Sequence, residues 1–124
     1  MITTVARKLQ VPDSTTVVVL NRPGGIDLDF PADCLVVSDP ASADTADVVI
    51  GFAVLASDLD GVAAPAIAAA CDDRLAWIAY PKSRQLGTDL NRDTLAALVT
   101  ARGARPVRSI SIDGVWSAIR FRPL

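Results

Sequence analysis

Four short runs of mostly apolar residues constrain the fold of this chain more than any other feature of its sequence. They are TTVVVL at residues 15–20, CLVV at 34–37, DVVIGF at 47–52 and RLAWIA at 74–79. Because each run is apolar at successive positions, both of its faces are expected to be buried, which is typical of strands in a parallel sheet. The sequence therefore predicts an α/β fold with a central sheet that is covered on both faces.

Segments with apolar residues at helical spacing lie between the later strands. One covers residues 57–71, where Pro65 fits only near the start of the regular helix or at a kink. The other covers residues 92–102 and follows Asn91, a preferred N-cap residue. A short helix is also predicted over residues 5–10. Strands that are separated by helices predict parallel connections.

The C-terminal part of the sequence predicts an antiparallel connection. Strands are predicted over residues 107–112 and 115–121, and Asp113 and Gly114 between them are typical of a two-residue hairpin turn. Pro81 is expected to stop pairing at the end of the fourth strand, because proline has no N–H to donate. We interpret residues 1–124 as one domain with a three-layer, mostly parallel, six-stranded Rossmann-like sheet.

The residue types that most hydrolytic and metal sites need are missing from this chain. It contains no His, and its 14 acidic residues are all Asp. These absences exclude Ser-His-Asp and Cys-His catalysis and His-ligated metal sites, and no metal is expected. Cys34 and Cys71 lie in apolar runs, so we interpret them as small buried hydrophobic residues and not as a disulfide.

Charge is distributed unevenly along the chain. Residues 1–73 contain three cations and eleven aspartates, a net charge of −8, whereas residues 74–124 contain nine cations and three aspartates, a net charge of +6. The halves can attract each other, or copies of the chain can pair, and a homodimer is expected. Alternatively, the basic half binds a small anion. Nucleic acid is disfavoured, because the acidic half would repel its backbone.

The hydropathy pattern predicts a cytoplasmic protein. The first ten residues, MITTVARKLQ, lack the apolar core of a signal peptide. The longest uncharged apolar stretch, residues 62–71, is too short for a membrane span, which needs about 20 residues.

Residues 46–81 and the closing hairpin resemble the second half of a class I S-adenosylmethionine-dependent methyltransferase fold. The resemblance implies the strand order 2-1-3-4-6-5, with the last strand antiparallel. In those enzymes a glycine-rich turn after the first strand, and the helix that follows it, hold the cofactor. Here the turn contains Gly24 and Gly25 without a GxGxxG spacing, and only about twelve residues separate the first two strands. The N-terminal half is therefore expected to be shortened and to lack that helix.

The same resemblance implies which residues would hold a cofactor. They are Gly24 and Gly25 in the turn and Asp39 after the second strand, where an acid would bond a ribose. The Asp-Pro pair at this position is also an ordinary turn opener. We expect no cofactor, with S-adenosylmethionine as the alternative.

Residues 80–95 and 111–123 also resemble a family of short bacterial proteins of unknown function. A Pro-Lys, a Thr-Asp-Leu and an Asp-x-x-Trp-Ser stand in similar places in that family. This resemblance implies no activity and no catalytic residue.

The loop after the fourth predicted strand is a candidate site for an anionic ligand. It brings Lys82, Arg84, Thr88 and Asp89 within ten residues, which combines cations, a hydroxyl and a carboxylate. The alternative is a solvated loop in which Asp89 caps or charges the next helix.

Trp116 and Arg120 form a second candidate surface. They lie four residues apart on the last predicted strand and therefore share one face. Either Trp116 covers the helix over residues 92–102, or the two residues form an exposed aromatic and cationic patch for a partner.

These features together predict a non-catalytic binding or interaction module derived from a methyltransferase-like fold. One alternative is a protein that binds S-adenosylmethionine or a nucleotide in the cleft at the carboxyl ends of the strands, either as an enzyme such as a methyltransferase or as a ligand-binding protein. Another alternative is a small-anion-binding domain.

Overall fold

The computed structural model describes residues 4–82 and 84–124. Its helices and strands are, in chain order, α1 (Val5–Lys8), β1 (Thr16–Leu20), β2 (Leu35–Val37), β3 (Val48–Phe52), α2 (Leu59–Cys71), β4 (Leu75–Pro81), α3 (Arg92–Thr100), β5 (Ala104–Ser111) and β6 (Trp116–Pro123). Each predicted helix and strand is present. A 3₁₀ turn over Pro40–Asp44 follows β2, and another over Ala56–Asp58 leads into α2.

The six strands form one sheet in the order β2-β1-β3-β4-β6-β5. The neighbouring pairs β1–β2, β1–β3 and β3–β4 are parallel, whereas β6 runs antiparallel to both β4 and β5. This order confirms the prediction, including the antiparallel last strand. The acidic half of the sequence forms the β2-β1-β3 end of the sheet, and the basic half forms the β4-β6-β5 end.

Helices α2 and α3 cover one face of the sheet, which we call the helical face. Helix α2 comes very close to β3, because a Cβ added at Gly51 would lie 2.7 Å from the Cβ of Val62. Pro65 lies inside α2, which nevertheless begins at Leu59. The two helices bury apolar side chains against this face, among them Leu59, Val62, Ala66, Ala69, Leu95 and Val99.

The opposite face has a different cover, and we call it the coil face. It is closed by α1 and by the irregular segment between β1 and β2, residues 21–34. Leu28 from this segment is 1% exposed, and Leu9 and Trp77 are fully buried. The indole N–H of Trp77 donates to the carbonyl of Leu9 at 2.9 Å, which ties the end of α1 to the sheet. The third predicted layer is therefore mostly irregular chain.

Two predictions about the strand ends are wrong. Pro81 continues β4 and pairs with Trp116, and the N–H of Lys82 supplies the next bond, to the Val115 carbonyl at 2.6 Å. The hairpin between β5 and β6 is a four-residue connection, residues 112–115, and not a two-residue turn. Asp113 shapes it, because its Oδ1 accepts the N–H groups of Val115 and Trp116, both at 2.8 Å.

The two cysteines are free thiols. Cys34 is partly buried, so the prediction that it is buried is confirmed only in part. Cys71 is exposed at the end of α2, so the same prediction is wrong for this residue. In the described part of the chain, no helix is long and apolar enough to span a membrane. Among the same residues, no three cysteine or carboxylate side chains gather as metal ligands would.

Candidate functional site

The carboxyl ends of β1, β2, β3 and β4 meet at one edge of the sheet, where open α/β sheets bind their ligands. The turns after β1, β2 and β4 carry the residues that the sequence predicts as ligand contacts. The hydrogen bonds that those side chains make within the chain decide which of their atoms are available.

The turn between β3 and α2 has its backbone N–H groups already occupied. Asp58 Oδ2 accepts from the N–H groups of Val54 at 3.1 Å and Leu55 at 2.9 Å. Asp89 Oδ1 accepts from the N–H of Ala56 at 2.8 Å. Unpaired N–H groups that precede a helix are the usual cradle for an anionic ligand. Here two carboxylates of the chain itself take that role.

Thr88 and Asp89, both predicted as ligand contacts, therefore tie the β4–α3 loop to the β3–α2 turn. The Thr88 hydroxyl donates to the carbonyl of Val54 and accepts from the N–H of Leu90 at 3.0 Å. Asp89 binds Ala56 as described above. It does not act as the N-cap of α3, because Asn91 does so by accepting from the N–H of Thr94 at 2.8 Å.

Lys82 attaches to a different part of the molecule from Thr88 and Asp89. Its Nζ donates to the hydroxyl of Ser111 at the end of β5, at 2.8 Å. Arg84 is exposed and has a left-handed backbone with φ of 66°. The four residues predicted as one anion site therefore have different surroundings. Lys82 binds the β5–β6 hairpin, Arg84 is exposed to solvent, and the other two bind the β3–α2 turn. Their binding of an anion stays a prediction.

The residues implied for cofactor binding do not line the hollow at the ends of β1 and β2. A cavity of about 360 Å³ lies at the ends of β1 and β2, and its lining residues are Val19, Asn21, Arg22, Val36, Val37 and Ser38. Gly24 and Gly25 are exposed, and a Cβ at either position would meet nothing within 4 Å. Asp39 uses Oδ1 to accept the N–H of Ala41 at 3.0 Å, which caps the following 3₁₀ turn. The role of these three residues in cofactor binding stays a prediction.

Trp116 is part of the core and not of an exposed patch. It is 3% exposed and packs edge-to-face on Phe52, with ring centroids 5.2 Å apart. It lies on the coil face, whereas α3 covers the helical face, so it does not cover α3 either. The prediction of an exposed aromatic surface is therefore wrong for this residue, because the irregular segment and α1 bury its face of the sheet.

Arg120 lies on the same face of β6 but near the opposite, amino ends of the parallel strands. Its Nη1 donates to Gln10 Oε1 at 2.9 Å, and its buried Nε has no partner among the described residues. It lines a cavity of about 490 Å³ together with Gln10, Pro12, Asp47, Val48, Asp73, Arg74 and Leu75. Its role in binding a partner stays a prediction.

Tyr80 forms a polar cluster that sequence reasoning did not assemble. Its side chain is 5% exposed, and burial raises the pKa of its hydroxyl, while hydrogen bonds with Ser109 and Ser117 act in the opposite direction. The β4–β6 register places Tyr80 opposite Ser117. Only that register, which follows from the strand order, could have revealed the pairing in advance.

The fold is similar to that of a solved methylase. The crystal structure of a ribosomal protein L11 methylase from Lactobacillus delbrueckii subsp. bulgaricus matches 96% of this chain and 74% of that chain, with a TM-score of 0.53 and 12% sequence identity. At this identity the similarity shows the fold alone. The sequence matches no protein family model and no curated protein. The chain therefore has a methyltransferase-like α/β fold.

Proposed function

We propose that this chain is a non-catalytic binding or interaction module built on a methyltransferase-like fold. The connection between β1 and β2 carries the proposal. Residues 21–34 contain no helix, and Leu28 from this segment is buried against the sheet. A helix amino end that would cradle an anionic group after β1 is therefore missing from this connection.

The strand-end turns support the same proposal. Asp58, Asp89 and Asp39 occupy backbone N–H groups in the turns after β3 and β2. A phosphate or carboxylate of a ligand would have to displace these carboxylates or lie beside them, and like charges at short range repel. The chain thus uses its own aspartates where a cofactor-binding protein would keep its N–H groups free.

A protein that binds S-adenosylmethionine or a nucleotide is the second candidate. The hollow at the ends of β1 and β2 favours it, because Asn21, Arg22 and Ser38 bring polar groups to a cavity of about 360 Å³. Small-molecule pockets begin at roughly 300 Å³. The methylase neighbour has the same fold, which adds S-adenosylmethionine to the ligands worth testing.

Thermal unfolding in the presence of ligands separates the two candidates. The full chain is heated with S-adenosylmethionine, S-adenosylhomocysteine, ATP or inorganic phosphate, each in large excess. The proposal predicts an unchanged Tm with all four. A ligand at 100 times its Kd adds about 2.7 kcal/mol, which would raise Tm by several degrees.

A matched pair of variants locates any rise in Tm. Both Arg22 and Arg84 are exposed, but Arg22 lines the hollow whereas Arg84 lies on the β4–α3 loop and does not. A rise with S-adenosylhomocysteine that is lost in Arg22→Ala and kept in Arg84→Ala would overturn the proposal in favour of the second candidate. A rise with phosphate that is lost when Lys82→Ala and Arg84→Ala are combined would instead favour the anion-binding alternative.

A further inference from the structure

Strand β2 lies at one edge of the sheet, and its outer side pairs with no other strand among the described residues. The N–H of Leu35 donates to the carbonyl of Thr15 at 3.0 Å, so the backbone groups of Leu35 face β1. Because these groups alternate in direction along a strand, the N–H and C=O of Val36 point away from β1. No strand of the sheet lies on that side. Such an edge is a template for an added strand.

The side chains of β2 make this edge apolar on both faces. Leu35 is 61% exposed and Val36 is 42% exposed, and as successive residues of a strand they point to opposite faces. The three residues include no lysine, no proline and no bulge, which are the usual protections of an exposed edge. The shortness of β2, three residues, limits how far an added strand can pair with it.

Carboxylates flank this edge at both ends. Asp33 and Asp39 are exposed, and neither forms a salt bridge with any residue in 4–82 or 84–124. The hydrogen bond from the Ser14 hydroxyl lowers the pKa of Asp33, so this side chain is ionised at neutral pH. A strand that pairs with β2 gains from cations at these two positions, because opposite charges across strands attract.

A second copy of this chain fits the edge poorly. Antiparallel pairing of two β2 strands about Val36 would place Asp33 of one copy opposite Asp39 of the other, at both ends of the pair, and like charges directly opposite are destabilising. The other edge, β5, is no better as an incoming strand. Pro106 has no N–H, and the register of β5 slips between Pro106 and Arg108.

We propose that the β2 edge binds an extended segment of another protein, with three apolar residues at its centre and a lysine or arginine near each end. In antiparallel pairing the apolar residues lie opposite Leu35, Val36 and Val37, and the cations lie near Asp33 and Asp39. The inference rests on the proposed function, since it names the partner that the interaction module takes.

A pair of peptides tests the proposal on the full chain. The probe is the capped heptapeptide Lys-Thr-Val-Val-Val-Thr-Lys, and the control replaces both lysines with glutamate. In an NMR titration of the ¹⁵N-labelled protein, the lysine peptide is expected to shift the amide signals of residues 34–38 saturably. The glutamate peptide should bind at least about tenfold more weakly than the lysine peptide, because two attractive cross-strand pairs become repulsive.

Matched substitutions on the two edges assign the binding to β2. Val36 and Val107 are 42% and 39% exposed, on β2 and β5 respectively. Val36→Lys should abolish the shifts, because an edge lysine opposes pairing and repels the probe, whereas Val107→Lys should leave them unchanged. Leu35→Lys, at a position that is 61% exposed, provides a second β2 variant if the first fails to fold.

Three results would overturn this inference. One is a failure of the lysine peptide to bind more tightly than the glutamate peptide, and another is a set of shifts outside residues 34–38. The third is a dimer in sedimentation without peptide that Val36→Lys dissociates, since a second copy would then occupy the edge. If any of these three results is obtained and S-adenosylmethionine does not change Tm, the β2 inference is wrong but the proposed function is not contradicted. A rise in Tm with that ligand contradicts the proposed function whatever the peptides do.

Discussion

On the helical face of the sheet, Leu95 of α3 is completely buried. On the coil face, where the cover is a four-residue helix and an irregular segment, Trp77 of β4 is buried just as completely. The two covers therefore reach the same burial by different means. Helix α2 needs Gly51 in order to approach β3, while residues 21–34 follow the sheet without any helical period. A connection too short for a helix can still close a core if a few of its apolar residues, such as Leu28, reach the sheet.

This difference has a functional consequence at the carboxyl end of β1. A helix in that position would point its amino end, and the N–H groups there, towards a ligand. The irregular segment instead uses its length to cross and cover the coil face. The same residues, 21–34, could either form a helix that presents its amino end or cover the core. In this chain they cover the core.

The largest expected effect on this comparison comes from Trp77→Ala. Trp77 is fully buried and bonds the carbonyl of Leu9, so the substitution should lower the free energy of unfolding by about 3–5 kcal/mol. Urea unfolding measures this loss. Trp77→Phe keeps most of the ring volume and should lose less. A loss below about 1 kcal/mol in the alanine variant would mean that the coil face is not a packed core.

Smaller effects are expected from two glycine substitutions, one on each side of the sheet, and they should differ in size. Gly51→Ala places a Cβ 2.7 Å from Val62 and should destabilise the fold by about 1–3 kcal/mol, because α2 must move. Gly24→Ala, in the covering segment, meets nothing within 4 Å and should change stability by at most about 0.5 kcal/mol. Thermal unfolding of both variants checks the pair, and equal losses would remove the distinction between the two covers.

The smallest effect is a pH dependence that belongs to the helical face. Burial raises the pKa of Tyr80 above that of an unfolded tyrosine, so the folded state holds the phenol proton more tightly. Its contribution to stability is complete below about pH 10 and is lost as pH rises past that value, because the unfolded chain ionises first. The urea midpoint should fall as the pH rises above about 10, and fall less in Tyr80→Phe. Tyr80 is the one tyrosine of the chain, so an identical decline in both proteins would contradict this assignment.

Much of the fold is predictable from the sequence because it depends on local patterns. The β-branched runs at residues 15–20 and 47–52 indicate buried strands, and Asn91 marks the start of α3 as the structure confirms. The strand order came from the resemblance to methyltransferases and not from periodicity. The cover of the coil face could not be predicted in the same way, since an irregular segment has no period to detect.

The candidate site is less predictable because it depends on hydrogen bonds between distant residues. The composition of the loop after β4 shows cations, a hydroxyl and a carboxylate, but it does not show that Thr88 and Asp89 bind Val54 and Ala56. Likewise the spacing of Trp116 and Arg120 indicates a shared face, but not that this face is covered. In each case the missing information is which distant segment lies opposite.

Residues 21–34 form a wall of the hydrophobic core and not a flap over an open ligand cleft. The most direct measurement is urea unfolding of Leu28→Ala beside Leu95→Ala, which remove the same side chain from the coil face and the helical face at 1% and 0% exposure. Both should lower the free energy of unfolding by about 2–5 kcal/mol. A full loss for Leu95→Ala together with a loss below about 1 kcal/mol for Leu28→Ala would contradict the claim, because the segment would then not be packed on the sheet.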